Sequence, residues 1–233
     1  MNERLPEGLQ KIGNRFLIVC EGGGDASFLF ELMNRRGIGD CSIGYPNPRD
    51  AKAGGKDAIG DYLVAISNFL KIHPEEQVLR IALVLDSDDD PGSAFAFART
   101  ALTSAGFPIP GAVFVPGKTA PLSTSVYLIP GIDEAAKPKT GTLEDLLLDA
   151  AYTKNPSSKS CLDSFIACIG KTPLNPNKLA KMKLSSLVGA SFEPNPWASV
   201  DPLLRDSRSL DLIPRDSPHF DHLAAFLKDF CAE

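Results

Sequence analysis

Residues 16 to 33 read FLIVCEGGGDASFLFELM. The apolar run Phe16 to Cys20 has the length and the two-sided hydrophobicity of a strand buried on both faces. SFLFELMNR, residues 27 to 35, then has the spacing of a helix that starts just after the glycines. Between the two stand Glu21, Gly22, Gly23, Gly24 and Asp25. A buried strand that turns into a helix is one β-α unit, and the fold class follows from whether that unit recurs. CSIGY (41 to 45) predicts a second strand, and a polar, Gly-rich stretch (46 to 57) leads to a helix expected from Ala58 to Lys71. VLRIALVLD (78 to 86) is the strongest strand signal in the chain. A helix over Ala94 to Ala105 follows, then strands over AVFV (112 to 115) and SVYLIP (125 to 130). The expectation is an α/β fold, a mostly parallel, Rossmann-like sheet flanked by helices.

From Leu143 onward the pattern turns helical, with helices expected over 143 to 152, 160 to 169, 176 to 188 and 219 to 230. The proline-rich stretch 191 to 218 should be mostly irregular. This suggests a core over 14 to 150 and a helical or irregular extension over 151 to 233 packed on it. At 233 residues the chain can bury one sizeable core, and its 43% apolar and 23% charged content argue against disorder. No apolar run is long enough to cross a bilayer and the first fifteen residues do not resemble a secretory signal, so no membrane partner and a cytoplasmic location are expected.

The five cysteines are odd in number, widely spaced and without a CxxC pair, so they read as small buried hydrophobes. His219 and His222 form a near-pair without a third ligand and read as surface residues. The net charge of −5 is uneven: six lysines, Lys178, Lys181 and Lys183 among them, face one acid between Ala151 and Ala190. That segment is +5 and the remainder −10. A basic lobe beside an acidic body is the footprint of a phosphate-binding protein, although lysines on a solvated face give the same count.

In a parallel sheet the functional crevice lies beyond the carboxyl ends of the strands. Two strands end on acids there. The first gives Glu21 and Asp25; the second gives Asp86 and Asp88 in DSDDD, with Asp89 and Asp90 behind them. Residues two apart in an extended segment point the same way, so Asp86 and Asp88 can aim at one ion. Converging carboxylates repel one another, and a hard divalent cation such as Mg²⁺ or Mn²⁺ removes that repulsion. A solvated acidic turn before Pro91-Gly92 is the alternative for Asp86 to Asp90. Gly22, Gly23 and Gly24 fit neither GxGxxG, which needs glycine at Ser27, nor a P-loop; they read as a tight turn that lets backbone approach a phosphate or metal. Glu144 lies in the first turn of a helix, where Thr142 is a candidate cap.

Val19, Glu21, Gly22, Gly23 and Asp25 behind the first strand, with Asp86 and Asp88 behind a later one, resemble the TOPRIM domain of topoisomerases, bacterial primases, recombination-repair proteins and OLD-type nucleases. VYLIPG, GTLEDLL, NKLAKMKL and HFDHLAAFLKDF look like a family of small stand-alone TOPRIM proteins related to the OLD nucleases, over about residues 14 to 230. The resemblance implies a nuclease that hydrolyses DNA or RNA, with DNA the expected partner before RNA, using Mg²⁺ or Mn²⁺, in defence or repair. It implies metal binding by Glu21, Asp25, Asp86, Asp88 and Glu144, with Asp90 a further candidate, and acid/base duty for Glu21. A lysine joins the site, mapping to Lys181 or Lys183, while Lys178 and the three glycines would contact nucleic acid. OLD proteins carry an ATPase domain and topoisomerases a catalytic tyrosine in another domain. This chain has no Walker A motif, so a separately encoded ATPase or DNA-binding subunit is the partner implied. The rival readings are a non-catalytic TOPRIM module that binds nucleic acid or protein, and a haloacid-dehalogenase-type phosphatase; the latter's motif does not tolerate Asp90 at its fifth position.

Overall fold

The computed structural model describes residues 3–4, 12–46, 55–115, 122–170, 175–193 and 199–232. Most of the stretch 46–57, together with Lys171, Pro194 and Pro196, lies outside the described residues. The strands are β1 (Glu3–Arg4), β2 (Phe16–Cys20), β3 (Cys41–Gly44), β4 (Arg80–Asp86) and β5 (Ser123–Ile129). They form a five-stranded sheet in the order β1-β3-β2-β4-β5, and every pairing is parallel. The chain moves outward from β2 to β3, then crosses back to place β4 on the other side of β2. The direction of winding therefore reverses between β2 and β4, the place where an open parallel sheet leaves a crevice at its carboxyl edge.

Strand alternation sorts the core into two layers. Phe16, Ile18 and Cys20 of β2, Ala82 and Val84 of β4, and Tyr127 and Ile129 of β5 face one side. Leu17, Val19, Ile81, Leu83, Leu85, Val126 and Leu128 face the other. Both faces need a cover, which explains why these strands read as continuous apolar runs. The second face is covered by α2 (Ile59–Ile72) and α3 (Pro91–Ser104), through residues such as Leu63, Ile66, Ala98 and Leu102. The first carries α1 (Gly23–Arg35), α4 (Leu143–Lys154) and buried residues of α5 (Pro156–Cys168), α6 (Pro176–Ser191), α7 (Val200–Arg205) and α8 (Asp221–Phe230). Leu162, Leu184 and Leu227 thus share one apolar cluster with Phe16 and Ile18. Among the described residues no helix is long and apolar enough to cross a membrane.

Several expectations are corrected. AVFV is a turn, not a strand: Phe114 has a left-handed backbone (φ 62°), which breaks the extended run. Its ring packs against Tyr127 and His222 with centroids 5.0 and 5.1 Å away, and its N–H donates to the Val126 carbonyl at 2.8 Å. The stretch 191 to 218 is more regular than its prolines suggest, because Leu203 and Leu204 give α7 a buried pair and a 3₁₀ turn follows over Ser207–Asp211. Helix α1 begins at Gly23, four residues ahead of expectation, so two of the three glycines are its first residues. His222 is half-buried and bonded to the Tyr127 hydroxyl at 2.9 Å rather than lying free on the surface.

The cysteines differ most from expectation. Cys20 is buried, but Cys161 and Cys168 are exposed on α5, and Cys41 is joined to Cys231 by a disulfide. That bond ties the end of α8 to the start of β3, at the amino edge of the sheet. Arg80, at the start of β4, reinforces the same attachment by donating to the carbonyls of Phe230 (2.8 Å) and Ala232 (2.6 Å) while lying over the Phe16 ring.

Candidate functional site

An open cleft of about 280 Å³ lies at the carboxyl edge between β2 and β4. Glu21, Asp25, Asp86, Glu144 and Lys181 line it, with Gly22, Gly23 and Gly24 along one wall. Each acid arrives on a different element. Glu21 is the residue after β2, and its Oε1 accepts the Asp86 N–H at 2.9 Å, so the two strand ends hold each other. Asp25 sits in the first turn of α1, where the helix dipole favours a carboxylate. Asp86 ends β4, and its Oδ1 accepts the Leu143 N–H at 2.9 Å, which places the carboxylate at the amino end of α4. Glu144, the next residue of α4, therefore comes to the same cleft. The loop ahead of α4 is fixed by paired backbone hydrogen bonds between Asp88 and Gly141 (3.0 and 2.8 Å). Asp145 closes the first turn by accepting the Thr142 N–H and hydroxyl, at 2.9 and 3.1 Å.

The electrostatics follow from this crowding. Burial raises Glu21 above the ordinary carboxylate range and the Asp88 charge adds to it, against lowering by the Asp86 N–H, Lys56 and Lys181. Burial, then the charges of Glu21 and Glu144, push Asp25 up to about 7. Asp86 is raised well above its usual value by burial and by Asp25, Glu21 and Glu144. Three carboxyl groups that resist ionising beside one another leave mutual repulsion that a cation would relieve. All the side-chain donors are carboxylate oxygens, which suits a hard divalent ion. As the side chains stand, no three Asp, Glu, His or Cys residues among the described residues converge to enclose an ion.

The structure separates residues that the sequence left grouped. Asp88 has a left-handed backbone (φ 52°) and is turned toward Lys56, whose Nζ donates to its Oδ2 at 2.6 Å and to the Asp86 carbonyl at 3.2 Å. Asn177 donates to Asp88 Oδ1 at 2.8 Å, and Asn175 donates to Asp89 at 3.2 Å, so the DSDDD loop is stitched to the amino end of α6. Asp90 faces α3 rather than the cleft: it caps that helix by accepting from the Gly92 N–H (2.9 Å) and the Ser93 hydroxyl (2.6 Å). Lys181 lies 3.9 Å from Glu144 at the cleft rim, whereas Lys183 pairs with Asp163 at 2.6 Å and Lys178 is exposed. The glycines carry no left-handed strain here; Gly22 is extended (φ −162°), and a Cβ on Gly23 would rest 3.7 Å from the Tyr45 ring. What they provide is a wall without side chains, beside a helix start whose Gly22 N–H bonds to the Asp25 carboxylate. Lys56 and Asn177 are site residues that sequence reasoning missed, since both reach Asp88 through tertiary folding.

These features define an α/β protein with an acidic cleft at the switch point of a parallel sheet. The chain belongs to the family described as "Protein of unknown function (DUF3226)", which matches residues 15–232. No curated protein and no solved structure matches it.

Proposed function

We propose that the chain is a Mg²⁺- or Mn²⁺-dependent nuclease of the TOPRIM type, a phosphodiesterase acting on DNA or RNA, with DNA the first substrate to test. One observation carries this reading: Glu21, Asp25, Asp86 and Glu144 face a single open cleft with Lys181 at its rim. Asp86, Asp25 and Glu21 would hold a divalent ion, with Glu144 available to a second. Such an ion supplies Lewis-acid polarisation of the scissile phosphate and lowers the pKa of an attacking water. Lys181 brings a positive charge to the side of the cleft where negative charge builds on the phosphate. The amino end of α1 adds its partial positive charge there, and the bare glycine wall lets a phosphate approach the backbone. Glu21 Oε2, the oxygen not bonded to Asp86, would be the one to take or return a proton, and burial, which raises the group above the ordinary carboxylate range, favours that role. Lys56 and Asn177 hold Asp88 in reserve, so Asp88 joins the ion only by exchanging these partners. A separately encoded ATPase or DNA-binding subunit fits this reading as the partner that would deliver substrate.

The test is cleavage of supercoiled plasmid, linear single- and double-stranded DNA, and RNA, each with Mg²⁺ or Mn²⁺, by wild type, Glu21→Ala and Asp86→Ala. Metal-dependent cutting that both variants lose supports the nuclease. Binding of metal and nucleic acid without cutting replaces it with the non-catalytic module.

A further inference from the structure

A second cavity, about 670 Å³, opens at the carboxyl end of α1 and is lined by Arg35, Arg36, Lys154, Arg215 and Asp216 among others. A helix of this length puts the two openings roughly 20 Å apart along its axis, so they are separate sites. Arg215 sets this cavity apart. It is 2% exposed, and its guanidinium meets only neutral acceptors: the carbonyl of Ile213, the carbonyl of Leu204 at 3.3 Å and the Ser209 hydroxyl at 2.8 Å. Its Nε is buried without any hydrogen-bond partner. No carboxylate among the described residues forms an ion pair with it, although the Glu31 charge acts on it from beyond pairing distance and favours its charged form. A fully buried charge is rarely left without a counter-charge, because carbonyls and hydroxyls replace only part of its hydration. Burial accordingly pushes Arg215 down to about 10.

The neighbouring charges bear out this imbalance. Arg36 already serves Asp221 at 2.8 Å, and Lys154 reaches Asp211 at 3.2 Å on the exposed rim. Arg35 makes no hydrogen bond or ion pair among the described residues, and its charge works against that of Arg215. Asp216, Glu31 and the negative ends of α1 and α4 offset part of this positive charge; with Arg36 and Lys154 already paired, Arg35 and the buried Nε of Arg215 are the donors left for an anion.

We infer that this cavity is an anion site for a phosphate-type group, whose several oxygens can take hydrogen bonds from Arg35 and, at the exposed rim, from Lys154, while its charge compensates the buried Arg215. Arginine is the side chain best shaped for that recognition. The group could reach the cavity on a free phosphorylated small molecule or on the end of a nucleic-acid strand. The inference stands whether or not the acidic cleft cuts nucleic acid.

The experiment is calorimetric titration of the full chain in EDTA at low salt with inorganic phosphate, pyrophosphate, a nucleoside monophosphate, and one oligonucleotide bearing either a 5′-phosphate or a 5′-hydroxyl. Wild type is compared with Arg35→Gln, Lys154→Gln and Asp86→Asn. The expected result is one saturable site that Arg35→Gln weakens about tenfold or more, Lys154→Gln weakens less, and Asp86→Asn leaves unchanged. Arg35 and Lys154 lie on the surface, so the test does not depend on Arg215→Gln folding. Stronger binding of the 5′-phosphorylated oligonucleotide than of its hydroxyl twin assigns the strand end, and preference for the free compounds assigns a small molecule. Absence of saturable binding by every phosphate probe overturns the inference. So does binding equal in Arg35→Gln and wild type, or binding strengthened in Asp86→Asn, which would place the anion in the acidic cleft, where loss of a carboxylate charge lessens repulsion.

Discussion

Asp25 shows how the cleft couples to the stability of the whole chain. In the unfolded chain an aspartate titrates near 3.8, and in the fold burial and the charges of Glu21 and Glu144 raise Asp25 to about 7. A carboxyl group whose pKa rises on folding contributes its full stability below the unfolded value and loses it as pH climbs through the folded one. Without divalent ions the protein should therefore melt at a higher temperature near pH ~5.5 than near pH ~8. Mg²⁺ should raise the melting temperature more at the higher pH, where protons no longer occupy the site, and Asp25→Asn should flatten the dependence. Melting in EDTA that is unchanged or higher at the alkaline pH would contradict the assignment. Lys181 and Lys183 give a second prediction at this scale. Lys181→Ala should lower cleavage tenfold or more, as loss of a charge acting on the transition state does, while Lys183→Ala loses only its surface pair with Asp163 and should cut normally. Equal losses in both would refute the geometry. The acids were legible because strand ends in a parallel sheet meet at one edge. The choice of lysine was not, since two residues two apart on a helix differ in direction by an angle that only the packing of α6 against α4 fixes. Lys56 and Asn177 left no trace in the sequence, because their contacts with Asp88 join segments 32 and 89 residues apart.

At the scale of elements, the DSDDD loop divides its acids between two helices. Asp88 and Asp89 are held by the amino end of α6, and Asp90 starts α3. Asn177 lies one turn ahead of Lys181, so the bond to Asp88 sets how α6 presents that lysine to the cleft. Asn177→Ala should therefore reduce cleavage through a misplaced Lys181 while changing melting little. Asp90→Ala should do the reverse, lowering the melting temperature by removal of a helix cap and leaving cleavage and metal affinity intact. A loss of metal affinity in Asp90→Ala would return this residue to the site. These elements were readable to differing degrees. β2, β4 and β5 announced themselves because strands buried on both faces are continuous in apolar residues, and α2, α4 and α6 fell where their apolar spacing put them. AVFV has strand composition, but a left-handed Phe114 turns it into a plug over Tyr127 and His222, and tertiary packing of one ring outweighs propensity. The early start of α1 was hidden by glycine, which is a poor helix former in an interior but tolerable in a first turn whose N–H groups face a cleft.

For the molecule as a whole, the least legible feature is the attachment of the C-terminal helix. Cys41 and Cys231 are separated by 190 residues, and no local pattern marks them as partners. The disulfide closes nearly the entire chain into a loop, and chain-entropy reasoning puts the stabilisation from such a loop at about 5 kcal/mol as an upper figure. Arg80 still grips the Phe230 and Ala232 carbonyls after reduction, so part of the attachment survives and the measured loss should be smaller. Both fastenings lie at the amino edge of the sheet, while the acidic cleft lies at the carboxyl edge. Reduction, or Cys231→Ser, should therefore lower the melting temperature by several degrees without altering Mg²⁺ affinity measured well below the transition. Arg80→Ala combined with reduction should lower it further than either change alone, because the two contacts hold the same helix end. Thiol titration of the denatured protein checks the premise, with three reactive thiols before reduction for Cys20, Cys161 and Cys168, and five afterwards, the full complement of the chain. Five thiols at the outset would mean that Arg80 and the apolar face of α8 fasten the C-terminus alone, and reduction would then leave the melting temperature unmoved.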